Sequence, residues 1–146
     1  MTAIASEDGK ITIQLMSNIT VSNEGLTGNA NTGAINISKS LTIDGKGHTI
    51  SAADSWRPTS TNGNANHIIN VVQPEGGQAI TVDIKNLTID GKNTKTKHGI
   101  NVFTVASQTN KATVTLKDVT IQNCGTAGLV INNSTVTATN LTTSGN

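Results

Sequence analysis

The stretch that decides the fold is VTLKDVTIQNCGTAGLVI, residues 114–131. Apolar and polar residues alternate in VTL and again in VTI, which is the pattern of half-buried strands. The alternation shifts phase across the connector Lys117-Asp118, so a straight strand would turn one half's apolar side chains to the wrong face. We therefore predict a corner at this connector that keeps both halves facing one interior. A third strand is predicted at LVI.

The same phrase returns along the chain at uneven intervals. Each copy directly follows a small polar residue, and those polar residues are 22, 46, 32 and 22 positions apart. Periods of this size are typical of solenoids. Three short strands per turn, joined by corners and loops of unequal length, predict an all-β fold, the parallel β-helix. The copies of the Leu-Thr-Ile core begin at Ile19, Leu41, Leu87, Val119 and Leu141.

Residues 114–131 resemble the coils of right-handed parallel β-helix proteins, the pectate-lyase-like superfamily. The resemblance covers nearly the whole chain, and SLTIDGKGHTI also resembles coils of large bacterial surface proteins and adhesins. It implies one right-handed β-helix domain over residues 1–146, a solenoid of about five coils with three short strands per coil. In that family a polar residue at the corner between the second and third strands stacks into an internal ladder. The residues that match this corner are Asn18, Ser40, Asn86, Asp118 and Asn140.

The interior of the two clearest coils can be predicted residue by residue. We expect their apolar members to face inward, because they alternate with polar residues on both sides of the corner. The corner residue Asn86 is expected to be buried, with its amide bonded to neighbouring coils. The predicted inward residues are Val82, Ile84, Leu87, Ile89, Val114, Leu116, Val119 and Ile121.

Composition excludes several classes of partner. The chain has 10 Lys and Arg against 9 Asp and Glu, for a net charge of +1. This balance indicates no nucleic-acid binding and no basic membrane patch, and no apolar run is long enough for membrane insertion. Trp56 and Phe103 are the only aromatic residues, so the core must be aliphatic. Cys124 has no disulfide partner in the chain and is predicted to be a packed thiol.

The longest insertion between predicted strands runs from Asp44 to His67, and loops carry most functions on such stems. It contains Asp54, Trp56 and Arg57. Trp56 is a large flat surface that can stack on a sugar ring, while Arg57 can hold a carboxylate or hydroxyl group. In the alternative, purely structural interpretation, Trp56 folds back and covers a side of the helix.

Two kinds of residue in the sequence are candidate metal ligands. Asp44 and Asp90 both follow Leu-Thr-Ile and precede Gly, so we expect them one above the other on adjacent coils, about 4.8 Å apart. Two stacked carboxylates can bind calcium when other oxygen ligands are present, although Asp-Gly is also an ordinary turn pair. His48, His67 and His98 lack metal-ligand spacing and are expected to be solvated or locally hydrogen-bonded.

An enzymatic function is not favoured by these residues. Enzymes with the resembling fold cluster aspartates around calcium and use an Arg-x-Pro-x-x-Arg pattern, which RPTST lacks. We therefore predict a non-catalytic module at the bacterial cell surface that acts in adhesion or carbohydrate binding, with a polysaccharide or host glycan as partner. A structural stalk and a fragment of a polysaccharide lyase or hydrolase remain alternatives. A column of threonines also suggests ice binding, but it is one residue wide and its coils are uneven.

The end of the sequence supports one further expectation. NLTTSGN follows a predicted third strand, with no amphipathic helix or polar cap behind it. An uncapped coil exposes apolar side chains and unpaired backbone groups. We therefore expect the N-terminal part of a longer solenoid, with self-association through its coil ends.

Overall fold

Parallel strands stacked on one another make up most of the structure, a computed structural model. It describes residues 2–5, 10–26, 32–57, 66–93 and 96–146. No helix in this part of the chain has the length and apolarity needed to cross a membrane. The predicted all-β parallel β-helix is confirmed. The strands are β1 (Thr2–Ala5), β2 (Ile11–Gln14), β3 (Ile19–Val21), β4 (Gly33–Ile37), β5 (Leu41–Asp44), β6 (Thr49–Ala52), β7 (His67–Val72), β8 (Thr81–Asp90), β9 (His98–Phe103), β10 (Thr113–Gln122), β11 (Ala127–Asn132) and β12 (Thr135–Ser144).

The described strands form two sheets. The larger sheet follows the order β1-β2-β5-β8-β10-β12, and β6 pairs with both β3 and β8. The smaller sheet has the order β11-β9-β7-β4. All these pairings are parallel except that of β1 with β2, which is antiparallel. Because β8 continues through the corner, its first half pairs with β5 and its second half with β6.

The interior of the two clearest coils is as predicted. All eight residues expected to face inward are at most 2% exposed. They stack in register, since β8 and β10 pair Ile84 with Leu116 and Ile89 with Ile121. Aliphatic columns that run from coil to coil therefore supply the bulk that aromatic residues supply in most cores.

Three of the five predicted corner residues turn the chain in a left-handed conformation, but they are not buried. Asn86, Asp118 and Asn140 have φ values of 51°, 54° and 52°, a left-handed conformation that Asn and Asp adopt more readily than most residues. The left-handed residue interrupts the strand alternation, so Lys85 and Asn86 both lie outside between the inward residues on either side. The prediction of an internal ladder at this corner is therefore wrong. All five residues assigned to it are exposed, namely Asn18, Ser40, Asn86, Asp118 and Asn140.

The same side chains still link neighbouring coils on the outer surface. Asn140 Nδ2 donates to Asp118 Oδ1 at 2.8 Å, and Asn86 Nδ2 donates to an aspartate of the preceding coil at 3.0 Å. Asn18 Oδ1 and Ser40 Oγ accept backbone N–H groups of the coils that follow them. The expected bond from the Asn86 amide to a neighbouring coil is thus present, but it is only partly buried.

A buried asparagine ladder lies in the smaller sheet instead. Asn70 Nδ2 donates to Asn36 Oδ1 at 3.0 Å, and Asn101 Nδ2 donates to Asn70 Oδ1 at 2.8 Å. Asn70 and Asn101 are at most 2% exposed. Val130 occupies the next position in register, so the ladder ends at Asn101. The signal was present in the sequence, because the triplet INV occurs once in β7 and once in β9.

We expect Asn70→Ala to lower the free energy of unfolding by about 2 kcal/mol, because it leaves the buried amide of Asn101 without its acceptor. Asn110→Ala is the matched control, since Asn110 is exposed and donates one hydrogen bond, to the carbonyl of Gly77. Urea denaturation followed by circular dichroism measures both variants. Equal losses of stability would show that the ladder contributes nothing beyond an ordinary surface hydrogen bond.

Candidate functional site

A cleft of about 370 Å³ lies where the chain leaves β3 and β6. These two strands pair in parallel, so the turns that follow them lie side by side. The cleft is lined from both turns by Asn23, Glu24, Gly25, Leu26, Ser55 and Arg57.

The buried side chain of Asn23 fixes one turn to the other. Its Oδ1 accepts the backbone N–H of Arg57 at 3.0 Å, and its Nδ2 donates to the carbonyl of the same residue. Nδ2 also donates to Asn66 Oδ1 at 3.2 Å. The backbone N–H of Leu26 donates to the carbonyl of Asn23 at 3.1 Å and closes the first turn. The backbone of Arg57 is therefore held in place at the cleft.

The cleft carries charged groups of opposite sign. Glu24 and Arg57 are both exposed and belong to different turns. Arg57 Nη1 lies 3.5 Å from the carbonyl oxygens of Asp54 and Trp56, which is long for a hydrogen bond. The guanidinium can therefore donate to a ligand, and the Glu24 carboxylate can accept from one. Asp54 is exposed on the same turn but does not line the cleft.

Trp56 packs into the core instead of lining the cleft. It is 4% exposed, and its backbone N–H donates to the carbonyl of Ala53 at 2.9 Å. Its ring offers no exposed face, so the predicted stacking on a sugar is wrong and the alternative, structural interpretation applies. The indole Nε1 is buried and has no hydrogen-bond partner among the described residues. Residues 58–65 of the predicted loop lie outside the described residues.

The two Asp-Gly turns lie at different corners of the helix. Asp44 ends β5, which pairs with the first half of β8 and places Asp44 opposite Lys85. Asp90 ends the second half of β8 and pairs with Gln122. The predicted stack of Asp44 on Asp90 is therefore wrong. Its cause is that one local sequence, LTIDGK, serves at two successive corners, so the two copies are not equivalent in register.

In each of these carboxylates, Oδ1 has one partner in its own turn and one on the neighbouring coil. Asp44 Oδ1 accepts the Asn86 side-chain amide at 3.0 Å, and Asp90 Oδ1 accepts that of Asn123 at 3.1 Å. Each oxygen also accepts the backbone N–H two residues further on. Burial raises the pKa of both carboxyl groups, but the hydrogen bonds and nearby lysines outweigh it, so each pKa lies below its ordinary value. The backbone bond is that of an ordinary Asp-Gly turn, while the side-chain amide comes from the neighbouring coil.

His67 and His98 are buried side by side, so the expectation that they are solvated is wrong. Their ring centroids lie 4.8 Å apart with an interplanar angle of 11°, and the residues are 1% and 7% exposed. The prediction failed because each histidine begins a strand, β7 or β9, and these strands pair. The pKa of His98 is lowered to about 4, mainly by burial and to a lesser extent by the nearby His67 and Lys97. His98 is therefore neutral at physiological pH.

Cys124 is a packed thiol, as predicted. It is 4% exposed, and burial raises its pKa to about 11. A thiol with this pKa is almost entirely protonated near neutral pH and is a poor nucleophile. Within the described ranges, no group of three or more His, Cys, Asp or Glu side chains is placed to hold a metal ion.

The stacked parallel strands form the regular stem of a parallel β-helix, and the cleft lies outside that stem, between two turns. Loops outside a regular stem are where β-helix proteins commonly carry function. The chain belongs to the family described as "Putative pectate lyase-like adhesive domain", which matches residues 3–101. No curated protein and no solved structure matches the chain. Membership of this family indicates an adhesive module with a surface or extracellular location.

Proposed function

We propose that the chain is a non-catalytic adhesive module of a bacterial cell-surface protein and that it binds a polysaccharide or a surface glycan. The binding site is the cleft between the turns that follow β3 and β6. The observation that carries the proposal is that two turns with exposed, oppositely charged side chains are joined by the buried amide of Asn23. The volume of about 370 Å³ is within the range of small-molecule sites.

The chemistry of the cleft suits sugar hydroxyl groups. Arg57 supplies donors, Glu24 supplies an acceptor, and a hydroxyl group can be both donor and acceptor. The described cleft contains no aromatic ring, so a sugar is held by hydrogen bonds without stacking. We therefore expect weak binding by one module and strong attachment when many copies act on one surface.

Arg57→Ala tests this site. The side chain is exposed, so its removal is expected to leave the melting temperature unchanged and to weaken binding of the best glycan about tenfold, or about 1.4 kcal/mol. Lys111→Ala is the control, because Lys111 is also an exposed cation and does not line the cleft.

The ligand would first be identified on an array of plant, host and microbial glycans, with and without calcium. Binding would then be measured by isothermal titration calorimetry for both variants. Equal affinities for wild type and Arg57→Ala would remove the cleft from the proposal. Failure to bind any glycan would instead favour the alternative of a structural stalk.

A further inference from the structure

The outer face of the larger sheet carries polar residues in register, separate from the cleft. The outward residues of β8 and β10 stack as Asp83 on Thr115 and Lys85 on Lys117. A shallow groove of about 240 Å³ crosses these strands and shares no lining residue with the cleft. Its lining residues are Thr42, Asp83, Ile84, Lys85, Thr115 and Lys117.

The negative charge of the groove is already compensated within the chain. Lys10 Nζ lies 2.6 Å from Asp83 Oδ2, a close ion pair with both side chains partly buried. Strong pairing of this kind reduces the repulsion that Asp83 would exert on an incoming anion.

The ammonium groups of the two lysines in the groove can contact a ligand. Lys85 Nζ lies 3.9 Å from Asp44 Oδ2, and its side chain is 43% exposed. The ion pair is long and is exposed only at the lysine, because the Asp44 side chain is 9% exposed, so the Lys85 ammonium can also reach a ligand. Lys117 is exposed and forms no ion pair within the described part of the chain.

The geometry of these lysines fits one kind of ligand group. Neighbouring strands lie about 4.8 Å apart, so two stacked ammonium groups can contact different oxygens of one sulfate or carboxylate. The hydroxyl groups of Thr42 and Thr115 lie on the same face and can donate further hydrogen bonds.

We propose that the groove of Lys85 and Lys117 is a second binding surface, which takes the anionic groups of an acidic polymer. This goes beyond the proposed binding of glycan in the cleft and does not require it. Because the groove is shallow and exposed, binding is electrostatic, weakens with added salt and depends on contacts with several modules along one polymer.

The experiment uses three polymers and two double variants. Dextran sulfate presents sulfate, hyaluronate presents carboxylate, and dextran is the neutral counterpart of dextran sulfate. Lys85→Gln/Lys117→Gln removes the groove cations. Lys92→Gln/Lys111→Gln removes the same amount of charge from exposed residues that do not line the groove.

Wild type is expected to bind dextran sulfate or hyaluronate but not dextran, with affinity that falls as salt is raised. The groove variant should bind about tenfold more weakly, and the control variant should stay within about twofold of wild type. The anionic polymer that binds identifies sulfate or carboxylate as the group recognised. Equal losses in both variants, or no binding of either anionic polymer, would overturn the proposal.

A third variant, Arg57→Ala, separates this proposal from the function of the cleft. This variant is expected to bind the anionic polymer as wild type does, while it loses affinity for the glycan of the cleft. A protein that binds its glycan in the cleft but neither anionic polymer would retain the proposed function and lose the second surface. Weakening of anionic-polymer binding by Arg57→Ala, with no effect of the groove variant, would move the anion site to the cleft.

Discussion

Trp56→Ala is expected to lower the free energy of unfolding by about 3–5 kcal/mol. Trp56 is 4% exposed and belongs to the hydrophobic core, and the substitution leaves a cavity the size of an indole ring. The surrounding strands are held in parallel hydrogen-bonded rows, which limits how far they can close the cavity. A loss of this size is a large part of the stability of a single domain. Urea denaturation followed by circular dichroism measures it, because the variant has no tryptophan fluorescence.

Trp56→Phe is the matched variant for this effect. It keeps an aromatic ring in the core and removes the buried indole N–H that has no described partner, so the expected loss is smaller, about 1–2 kcal/mol. Trp56→Ala with the stability of wild type and no glycan binding would contradict burial of the ring. That result would restore the interpretation of Trp56 as a sugar-stacking residue.

Acid is expected to destabilise the fold through His98. Its pKa is about 4 in the folded protein, against an ordinary value of 6.5, so the unfolded chain takes up the proton more readily. Above about pH 6.5, His98 is neutral in both states and does not reduce the free energy of unfolding. As the pH is lowered from 6.5 toward 4, the free energy of unfolding falls by at most about 3 kcal/mol. Urea denaturation at a series of pH values measures this slope.

His98→Phe should flatten the slope, because phenylalanine can stack on His67 and does not titrate. His48→Gln is the control, since His48 is only half-buried and outside the stacked pair. The carboxyl groups of Asp44 and Asp90 have lowered pKa values, so their contribution is lost below about pH 4, outside this window. A slope unchanged by His98→Phe would show that protonation of other groups destabilises the fold.

The strands on either side of the corners could be predicted because their information is local. In β8 and β10 the apolar residues alternate on both sides of a two-residue connector, and no distant contact is needed to see which of them face inward. Positive φ at Asn86 is likewise a local preference of asparagine. The exposure of Asn86 could not be predicted in this way. Lys85 and Asn86 both point outward at the corner, and the ladder of the resembling family does not show this.

The register between coils could not be predicted from the repeated phrase. The turn LTIDGK forms at both copies with the same local hydrogen bond, from the backbone N–H two residues after Asp44 and after Asp90. Local sequence therefore determines the turn, while pairing with distant strands determines which corner it occupies. Burial of Trp56 and of the histidine pair depends on distant strands in the same way. The cleft at Arg57 was partly predictable, because it lies in the longest insertion, but its second wall at Asn23 comes from another coil.

Parallel stacking gives this adhesive module a particular response to mechanical load. The backbone hydrogen bonds of a β-helix run along its axis, so tension along that axis separates one coil from the next. The strands so joined are far apart in sequence, since Val136 pairs with Val114, 22 positions away, and Val82 with Leu41, 41 positions away. Each coil that peels off releases about 75–140 Å of extended chain. Under the proposed function, a cell pulled by flow would be held by a lengthening chain, which dissipates work before the bond to the surface breaks.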